Sequence, residues 1–469
     1  MHVGPTSQRW WVVFFGVAAL ALLWANFCTA AAVPWNPARL AAAAALAEGL
    51  PLYVLRDSGA HLGWFYGPVF PLWHLPTMLL TNISALHFAA SVWNTVTLLA
   101  PIALLLWAGG VRHARLGMAL TLAAVLLLGH GVLARNFLFI HVDAVCLALG
   151  MMACFALHGA VHGRAAVWLH VAALSAALAV WSKQIAVALL PALLVWLWRE
   201  CGRAVAARFA FWLVVHGAAM TAMFFTVFGA EEVLFNTVLI HLRNPNEGGW
   251  SVLAARLGQL GVATLAWLPL IGLAFGLTRR EMRVRLPAGA ASLVRLLLWC
   301  AVWQLPLGLS ASIKVGGGLN SLHSLNYAFV AALIWLGHQR SWWHAAPPRT
   351  RVAALALLAW MIPLGMAFGL AREHGLRWRP AREQEQLVKL VRETPGKYYF
   401  PWNPLVTIRE EGRVQPLDNA LFCLWLAGLE PPVENIRATV FPNPVLVYEE
   451  PSQSKFALRY FPMHRTDSK

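Results

Sequence analysis

Long apolar runs recur along the first 370 residues of the chain and are separated by short polar turns. A helix of about 20 apolar residues is long enough to cross the hydrocarbon core of a bilayer. The pattern therefore predicts an all-α polytopic membrane bundle. Its eleven predicted spans are residues 10–33, 85–109, 116–134, 143–160, 165–181, 184–198, 209–228, 251–277, 290–312, 322–337 and 351–370.

Composition and charge agree with this interpretation and exclude a nucleic-acid binder. Hydrophobic residues make up 59% of the 469 residues and charged residues only 12%. The net charge of +16 is concentrated in short turns between the apolar runs, as the positive-inside rule describes. Arginines in such turns meet anionic lipid headgroups. We therefore expect a multi-pass plasma-membrane protein (the inner membrane of a bacterium), with its amino terminus inside and its carboxyl terminus outside.

Polar segments on the predicted outer side are too long or too irregular to be simple turns. The first loop, residues 34–82, contains an alanine run that predicts a helix and prolines that break any span. We expect short helices at the membrane surface there, with the aromatic residues 64–66 and 73 and His74 at headgroup level. Residues 229–250 and 314–321 form the second and third outer segments.

Residues 371–469 differ in composition from the membrane part, residues 1–370. Mixed charges, strand-like stretches at 397–400 and 438–450, and an apolar stretch at 417–428 with a helix start and a glycine stop predict a small α+β domain. An odd number of spans places this domain outside the cytoplasm. Six scattered cysteines without a CxxC pair indicate neither a disulfide framework nor a zinc site.

Acidic residues are scarce in the membrane part, which holds eight of the twenty in the chain. A carboxylate in or beside hydrocarbon is costly and is a functional candidate by default. Two of the eight, Glu200 and Glu281, fall in arginine-rich turns on the other side. The outer candidates are Glu48, Asp57, Asp143, Glu231, Glu232 and Glu247.

Two of these acids have neighbours that suggest chemistry. Asp57 lies in the first loop near His61 and Tyr66, where it could be a general base or simply part of a turn. Asp143 follows His141 at the mouth of the fourth span, shortly after Arg135. H-x-D is a weak metal signal, and a carboxylate at a helix start is often a cap, so both interpretations of Asp143 stay open.

Solitary cations on the same side are candidates for binding a phosphate. Lys183 and Gln184 occupy the turn between two spans, where a lysine either binds an anion or extends to the interface. Lys314 precedes three glycines, 316–318, whose backbone N–H groups could approach a phosphate. Arg243 lies in the second outer segment.

The order of these parts resembles the GT-C superfamily of glycosyltransferases, which includes protein mannosyltransferases and the lipid A aminoarabinose transferase. The resemblance covers most of the membrane part and rests on short motifs on one face. They are G-x-x-x-Y from Gly49 to Tyr53, Tyr66-Gly67-Pro68, H-x-D at His141 and Asp143, S-K-Q at 182–184, and G-x-x-N from Gly317 to Asn320.

This resemblance implies transfer of a sugar from a polyprenyl-phosphate carrier to a lipid or glycan acceptor at the outer membrane face. We expect no cofactor beyond, at most, a divalent cation. The catalytic candidates are Asp57 as base, Asp143 orienting the acceptor or a metal, and Glu48 as a substitute base. The candidates for substrate binding are Arg135, His141, Lys183, Gln184, Arg243, Lys314, Asn320 and Tyr66.

One position departs from the superfamily, whose base is typically an Asp about a dozen residues before G-x-x-x-Y. Asn36 stands there and cannot take a proton. Either Asp57 or Glu48 substitutes, or the chain has lost this chemistry. A transporter or flippase and a non-catalytic scaffold of the cell envelope are therefore the rival functions. Against a carrier, the hydropathy shows no two-fold repeat.

Overall fold

The computed structural model describes residues 30–33, 35–111, 140–161, 165–265, 288–339, 382–442, 444–447 and 456–461, with single positions between 17 and 28 and between 119 and 127. The predicted spans at 10–33 and 116–134 are thus described at only a few positions. The predicted span at 351–370 and Arg135 lie outside the described residues.

Helices account for most of the described chain. In chain order they are α1 (Trp35–Ala47), α2 (Val69–His74), α3 (Ile83–Ala108), α4 (Val142–Val161), α5 (Ala165–Ser182), α6 (Leu189–Cys201), α7 (Arg203–Phe228), α8 (Ala230–Leu234), α9 (Ile240–Arg243), α10 (Gly249–Leu265), α11 (Ala288–Ser312), α12 (His323–Gln339), α13 (Arg382–Glu393), α14 (Pro404–Glu411), α15 (Asp418–Leu426), α16 (Val433–Thr439) and α17 (Ala457–Tyr460). Short 3₁₀ turns at Ala30–Ala32, Arg56–Ser58, Leu75–Leu79, Gln184–Ala188 and Leu319–Leu322 and a π-helical turn at Phe235–Leu239 connect or extend them.

Within the described residues, five segments are long and apolar enough to cross a membrane: Ile83–Ala108, Val142–Val161, Gln184–Cys201, Arg203–Phe228 and Ser292–Ser312. The 17-residue apolar stretch Ala166–Ser182 and α12 also coincide with predicted spans. The prediction of a helical multi-pass membrane protein is confirmed. The total of eleven spans and the orientation in the membrane stay predictions.

Small residues let the central helices approach closely. Helix α4 packs along α5, and α5 also packs against α7. Ala172, Ala173 and Ala176 of α5 are fully buried in this core. Alanine at such positions allows close backbone approach, which stabilises helix pairs in a bilayer through van der Waals contact. Helix α11 packs against α6 and α12 and also contacts α4.

The first loop and the carboxyl-terminal residues share one apolar core at an end of the bundle. The alanines of α1 from Ala41 to Ala45 are at most 1% exposed, and α14 packs directly on this helix. Leu405, Val406 and Ile408 of α14 belong to the same cluster. The expected helix is present and protein covers most of its surface, although Ala47 is exposed. Its place relative to the membrane stays a prediction.

Most of the aromatic residues of the first loop are also buried. Trp64, Phe65 and His74 are buried in the protein, so their side chains do not face lipid headgroups. Tyr66 is half-buried, and only Trp73, with 40% of its surface exposed, keeps an open face. Trp64 and Phe65 are buried because they pack in apolar clusters that include Leu405 and Leu417 from the carboxyl-terminal part of the chain.

The described residues between 382 and 461 form short helices and two short strands, and the small α+β domain at 371–469 stays a prediction. Two short parallel strands, β1 (Tyr398–Tyr399) and β2 (Val445–Leu446), pair within the predicted strand regions. The expected helix at 417–428 is α15, but Ala438 and Thr439 end helix α16 rather than starting a strand. Because α14 shares its core with α1, this region is packed onto the first loop. The division into two domains at residue 370 stays a prediction.

The second and third polar segments are joined by backbone hydrogen bonds. Asn246 and Lys314 form an isolated antiparallel bridge, and the amide of Glu247 donates to the carbonyl of Ile313 at 2.8 Å. These segments, the first loop and residues 382–442 lie at one end of the bundle, which we call the loop face. The predicted outer segments therefore meet on one side.

Candidate functional site

A buried carboxylate lies at the centre of the loop face. Asp143, in the first turn of α4, is 3% exposed and forms a hydrogen-bonded ion pair with the ammonium of Lys183. Nδ1 of His323 lies 3.0 Å from its Oδ2, and Nδ1 of His141 lies 3.2 Å from the same oxygen. We call these four side chains the Asp143 cluster. They come from the ends of three helices and one preceding turn.

Asn36 fixes the turn that carries this carboxylate. Its side-chain oxygen accepts a hydrogen bond from the amide of Ile140 at 2.8 Å, and its Nδ2 donates to the carbonyl of Ala30 at 2.8 Å. Arg39 donates to the carbonyl of Ile140 at 3.2 Å. The first turn of α1 thus holds the start of α4 in place. An aspartate at position 36 could accept the first bond but could not donate the second.

Burial and neighbouring charges decide the protonation of the cluster. Burial, together with the Arg39 guanidinium, lowers the pKa of His141 to about 3, so this ring is neutral at pH 7. Its Nδ1 accepts from the amide of Asp143 at 3.1 Å, which places the ring proton on Nε2. Burial alone would lower the pKa of Lys183, but the Asp143 carboxylate more than offsets it and the pKa is raised. The pair is therefore ionised.

The break in the first loop brings Tyr66 over the Lys183 ammonium. The ammonium lies 5.9 Å from the centre of the tyrosine ring. Gly67 makes this approach possible, because a Cβ at that position would lie 1.7 Å from the carbonyl oxygen of Trp181 at the end of α5. The Tyr-Gly-Pro motif thus has a steric reason. Any larger residue at 67 would push the loop away from the cluster.

A network of side chains ties this loop to the other outer segments. Gln184 donates to the carbonyl of Phe65 at 2.9 Å and to that of Thr237 at 3.1 Å. His241 donates from Nε2 to the same Phe65 carbonyl at 2.8 Å, and the ammonium of Lys314 donates to the carbonyl of His241. Burial lowers the pKa of His241, which keeps this ring neutral. Gln184 and Lys314 therefore hold backbone carbonyls of the first and second outer segments.

The two loop acids lie apart from the Asp143 cluster. Glu48 pairs with Arg409 of α14 at 3.0 Å. Asp57 is exposed in the 3₁₀ turn Arg56–Ser58, and its backbone carbonyl accepts from Asn435 of α16 at 2.7 Å. Both acids face the carboxyl-terminal residues. The convergence expected from the sequence holds for Asp143 and Lys183 and does not include Asp57 or Glu48.

The remaining candidates lie at the edge of the site. Arg243 is exposed at the end of α9. Asn320 is half-buried in the 3₁₀ turn that leads into α12, and its carbonyl accepts the amide of His323. Glu231 is exposed and Glu232 is half-buried on α8, and Glu247 forms an ion pair with Arg256 at 3.4 Å.

Sequence reasoning missed His323 and the supporting Asn94. Asn94 of α3 accepts from the amide of His141 at 3.4 Å. His323 lies at the start of the predicted span 322–337, just as Asp143 lies at the start of the predicted span 143–160. A polar residue at that position was the available signal. Nothing in its local sequence shows that α12 starts beside α4.

The cluster is occupied by its own cation. Among the described residues, no group of three or more His, Cys, Asp or Glu side chains is placed to hold a metal ion. Asp143 and the two histidines converge, but the Lys183 ammonium neutralises the carboxylate. The divalent cation considered from the H-x-D motif stays a prediction.

Comparison with known proteins gives one informative result. No protein-family model matches the sequence, and no curated protein matches it. The crystal structure of ArnT from Cupriavidus metallidurans bound to undecaprenyl phosphate matches with a TM-score of 0.56 and 13% identity, over 96% of this chain and 94% of that one. The chain has the ArnT fold. The helical membrane fold that the resemblance implied is thus confirmed.

The ArnT fold extends over the whole arrangement just described, since the match covers nearly all of both chains. It therefore includes the helical bundle, the first loop and the carboxyl-terminal residues, rather than a generic set of apolar helices. At 13% identity the likeness carries no residue roles from ArnT to this chain. The roles of the Asp143 cluster rest on its own geometry.

Proposed function

We propose that this protein is a membrane glycosyltransferase that moves a sugar from a polyprenyl-phosphate carrier to an acceptor at the loop face. The observation that carries the proposal is the buried Asp143–Lys183 pair at the mouth of α4 in a chain with the ArnT fold. Ion pairs this deeply buried are costly to build and are often retained for a functional reason. The undecaprenyl phosphate bound in the ArnT structure supports a lipid-phosphate donor.

In the proposed mechanism the donor phosphate exchanges partners with Asp143. Lys183 is a compact positive charge suited to a phosphate, and its binding there releases the carboxylate. The freed carboxylate takes the proton of the acceptor hydroxyl. The acceptor oxygen then bonds to the anomeric carbon as the bond from that carbon to the phosphate oxygen breaks. The electron pair leaves with polyprenyl phosphate, which Lys183 stabilises.

Asp143 replaces Asp57 as the proposed base. Its Oδ2 faces Nδ1 of His323 at 3.0 Å, and this hydrogen bond holds the carboxylate in one orientation while the ammonium moves. Asp57 has no comparable support, being exposed beside α16. His323 and His141 are thus proposed as positioning residues. Tyr66, over the ammonium, would border the bound sugar phosphate.

The test is sugar transfer in proteoliposomes from a radiolabelled undecaprenyl-phosphate-linked sugar, with envelope glycolipids as acceptors. Asp143→Asn keeps the shape of the side chain but removes its basicity. Loss of a general base commonly lowers the rate about 10²–10⁴-fold, and we expect a fall of that size. Glu231→Gln, an exposed acid on the same face, is the matched control and should retain turnover.

Other outcomes would assign the chemistry differently. Unchanged turnover in Asp143→Asn would refute its role as base, and loss in Asp57→Asn would return that role to the first loop. A second candidate function is a non-catalytic scaffold. It is favoured by Asn36, which stands where the superfamily's acid is expected and bonds the backbone of Ile140 and Ala30. Wild-type protein that binds undecaprenyl phosphate but transfers no sugar would support that candidate.

A further inference from the structure

Two hollows lie side by side around α16, away from the Asp143 cluster. One has a volume of about 690 Å³ and is lined by Arg413 and Arg437; the other has about 390 Å³ and is lined by Arg56 and Arg459. Val433 lines both and separates them. Ligand sites in proteins commonly measure about 300–1,000 Å³, so each hollow can take part of one elongated molecule.

The charge of the hollows selects for anions. The four arginines face two acids, Glu434 in the first hollow and Glu430 in the second. Each hollow therefore keeps a net positive charge. Guanidinium groups bind carboxylates and phosphates in a fixed two-pronged geometry, which a lone lysine does not offer.

The arginines of the first hollow are held in place before any ligand arrives. Arg413 lies 4.3 Å from the centre of the Phe441 ring and donates to the carbonyl of Ala438 at 3.2 Å. Arg437 uses Nε to donate to the carbonyl of Tyr460 at 3.0 Å. A guanidinium has five N–H donors, so one such bond orients the group and leaves others for a ligand. Pre-oriented donors lose less entropy on binding.

The second hollow is built in the same manner. Arg56 uses Nε to donate to the carbonyl of Glu430 at 3.0 Å. Arg459 lies over the rings of Trp425 and Phe456, at 5.7 and 5.5 Å from their centres, and 3.6 Å from the Glu430 carboxylate. Trp425 is 41% exposed beside this arginine and offers an apolar surface next to the charge.

Both hollows are physically linked to the first loop. Asn435 of α16 donates to the carbonyl of Asp57, and a Cβ on Gly59 would lie 2.4 Å from the Asn435 carbonyl oxygen. The loop therefore contacts α16 backbone to backbone at residues 57–59. Seven residues later the same loop places Tyr66 over Lys183. A molecule held at α16 is thus bound to the segment that borders the proposed reaction site.

We propose that the two hollows form one binding site for an acidic saccharide chain, with its anionic groups on the arginines to either side of Val433. This inference rests on the proposed function, since an acceptor glycan is the molecule that such a site would hold. Concave hollows with interspersed acids suit discrete anionic groups on a chain better than the broad, flat charge of a membrane surface.

The test measures binding without turnover. The full chain in phosphatidylcholine nanodiscs is titrated with oligogalacturonate, and with a neutral maltooligosaccharide of matched length. We expect salt-sensitive binding of the acidic probe and weaker binding of the neutral one. The double variants Arg413→Gln/Arg437→Gln and Arg56→Gln/Arg459→Gln should each weaken binding about tenfold or more, as expected for lost charge-assisted hydrogen bonds.

Lys389→Gln/Arg392→Gln on α13 is the matched control, because it removes two exposed charges elsewhere in the same region. Equal loss in this control, or equal binding of the neutral probe, would overturn the proposal. The embedded chain could instead bind added phosphatidylglycerol vesicles and not oligogalacturonate. That result would assign the arginines to the membrane surface and would also overturn the proposal. A chain that binds oligogalacturonate but transfers no sugar would refute the proposed function alone.

Discussion

Asp143 and Glu48 are both paired with a cation, yet their surroundings are opposite. The side chain of Asp143 is 4% exposed and that of Lys183 is 8% exposed, whereas Glu48 is 37% exposed in its pair with Arg409. In a buried site each charge depends on the other, because water cannot take the place of a lost partner. At the surface water does so readily. The ion pair of Asp143 therefore stabilises the buried cluster, whereas the ion pair of Glu48 contributes little to the contact between the first loop and α14.

The largest expected effect follows from breaking the buried pair. Lys183→Met leaves the Asp143 carboxylate without its cation, and removing one partner of a buried pair commonly costs about 3–5 kcal/mol. We expect a loss of that size in the free energy of unfolding, measured by denaturant titration in mixed micelles. The double variant Asp143→Asn/Lys183→Met removes both charges and should recover much of it. If the stability loss of the double variant equals the sum of the losses in Lys183→Met and Asp143→Asn, the two charges do not depend on each other.

Asp418 occupies an intermediate position in this comparison, since it is buried but bonded to backbone amides rather than to a cation. Its Oδ1 accepts from Phe456 at 3.0 Å and from Ala457 at 2.7 Å. Burial raises the pKa of Asp418 from 3.8 to about 6, although these two hydrogen bonds act against it. The folded state therefore holds the proton more tightly than the unfolded chain between these pH values.

The stability of the protein should accordingly fall as pH rises from about 4 to about 6, by about 2 kcal/mol for this group. Asp418→Asn keeps an oxygen for the two amides but has no charge to bury. The variant should lose this part of the pH dependence, and unfolding followed at several pH values measures it. A wild-type stability that rises through the same interval while the variant stays flat would contradict the assigned direction.

How far the sequence predicts this site depends on which contacts are local. The hydropathy pattern located α3 to α7, α11 and α12 because a bilayer-spanning helix needs a long apolar run, whatever it packs against. His141 and Asp143 were identified for the same reason, as polar groups at the mouth of such a run. The pairing of Asp143 with Lys183 joins residues 40 positions apart, and that with His323 joins residues 180 apart. No local pattern encodes these distances.

The first loop shows the limit most clearly. Its alanine helix and its Gly-Pro break were predicted from propensity, which acts within a few residues. Its burial was not, since the covering surface comes from α14, more than 350 positions later in the chain. Asp57 looked like a base because its neighbours in sequence include His61 and Tyr66. Its actual neighbour, Asn435, comes from α16.

The smallest expected effect tests the exposed half of the comparison. Arg409 donates to Glu48 at 3.0 Å and also to the carbonyl of Leu80 at 3.2 Å, so it keeps one partner when the acid is neutralised. Glu48→Gln should therefore change the free energy of unfolding by only about 0–1 kcal/mol, as exposed ion pairs do. Any loss should shrink as salt is added, because screening weakens exposed pairs first. A loss as large as that of Lys183→Met, insensitive to salt, would mean that Glu48 is as tightly coupled as Asp143, and the contrast between the two regions would fail.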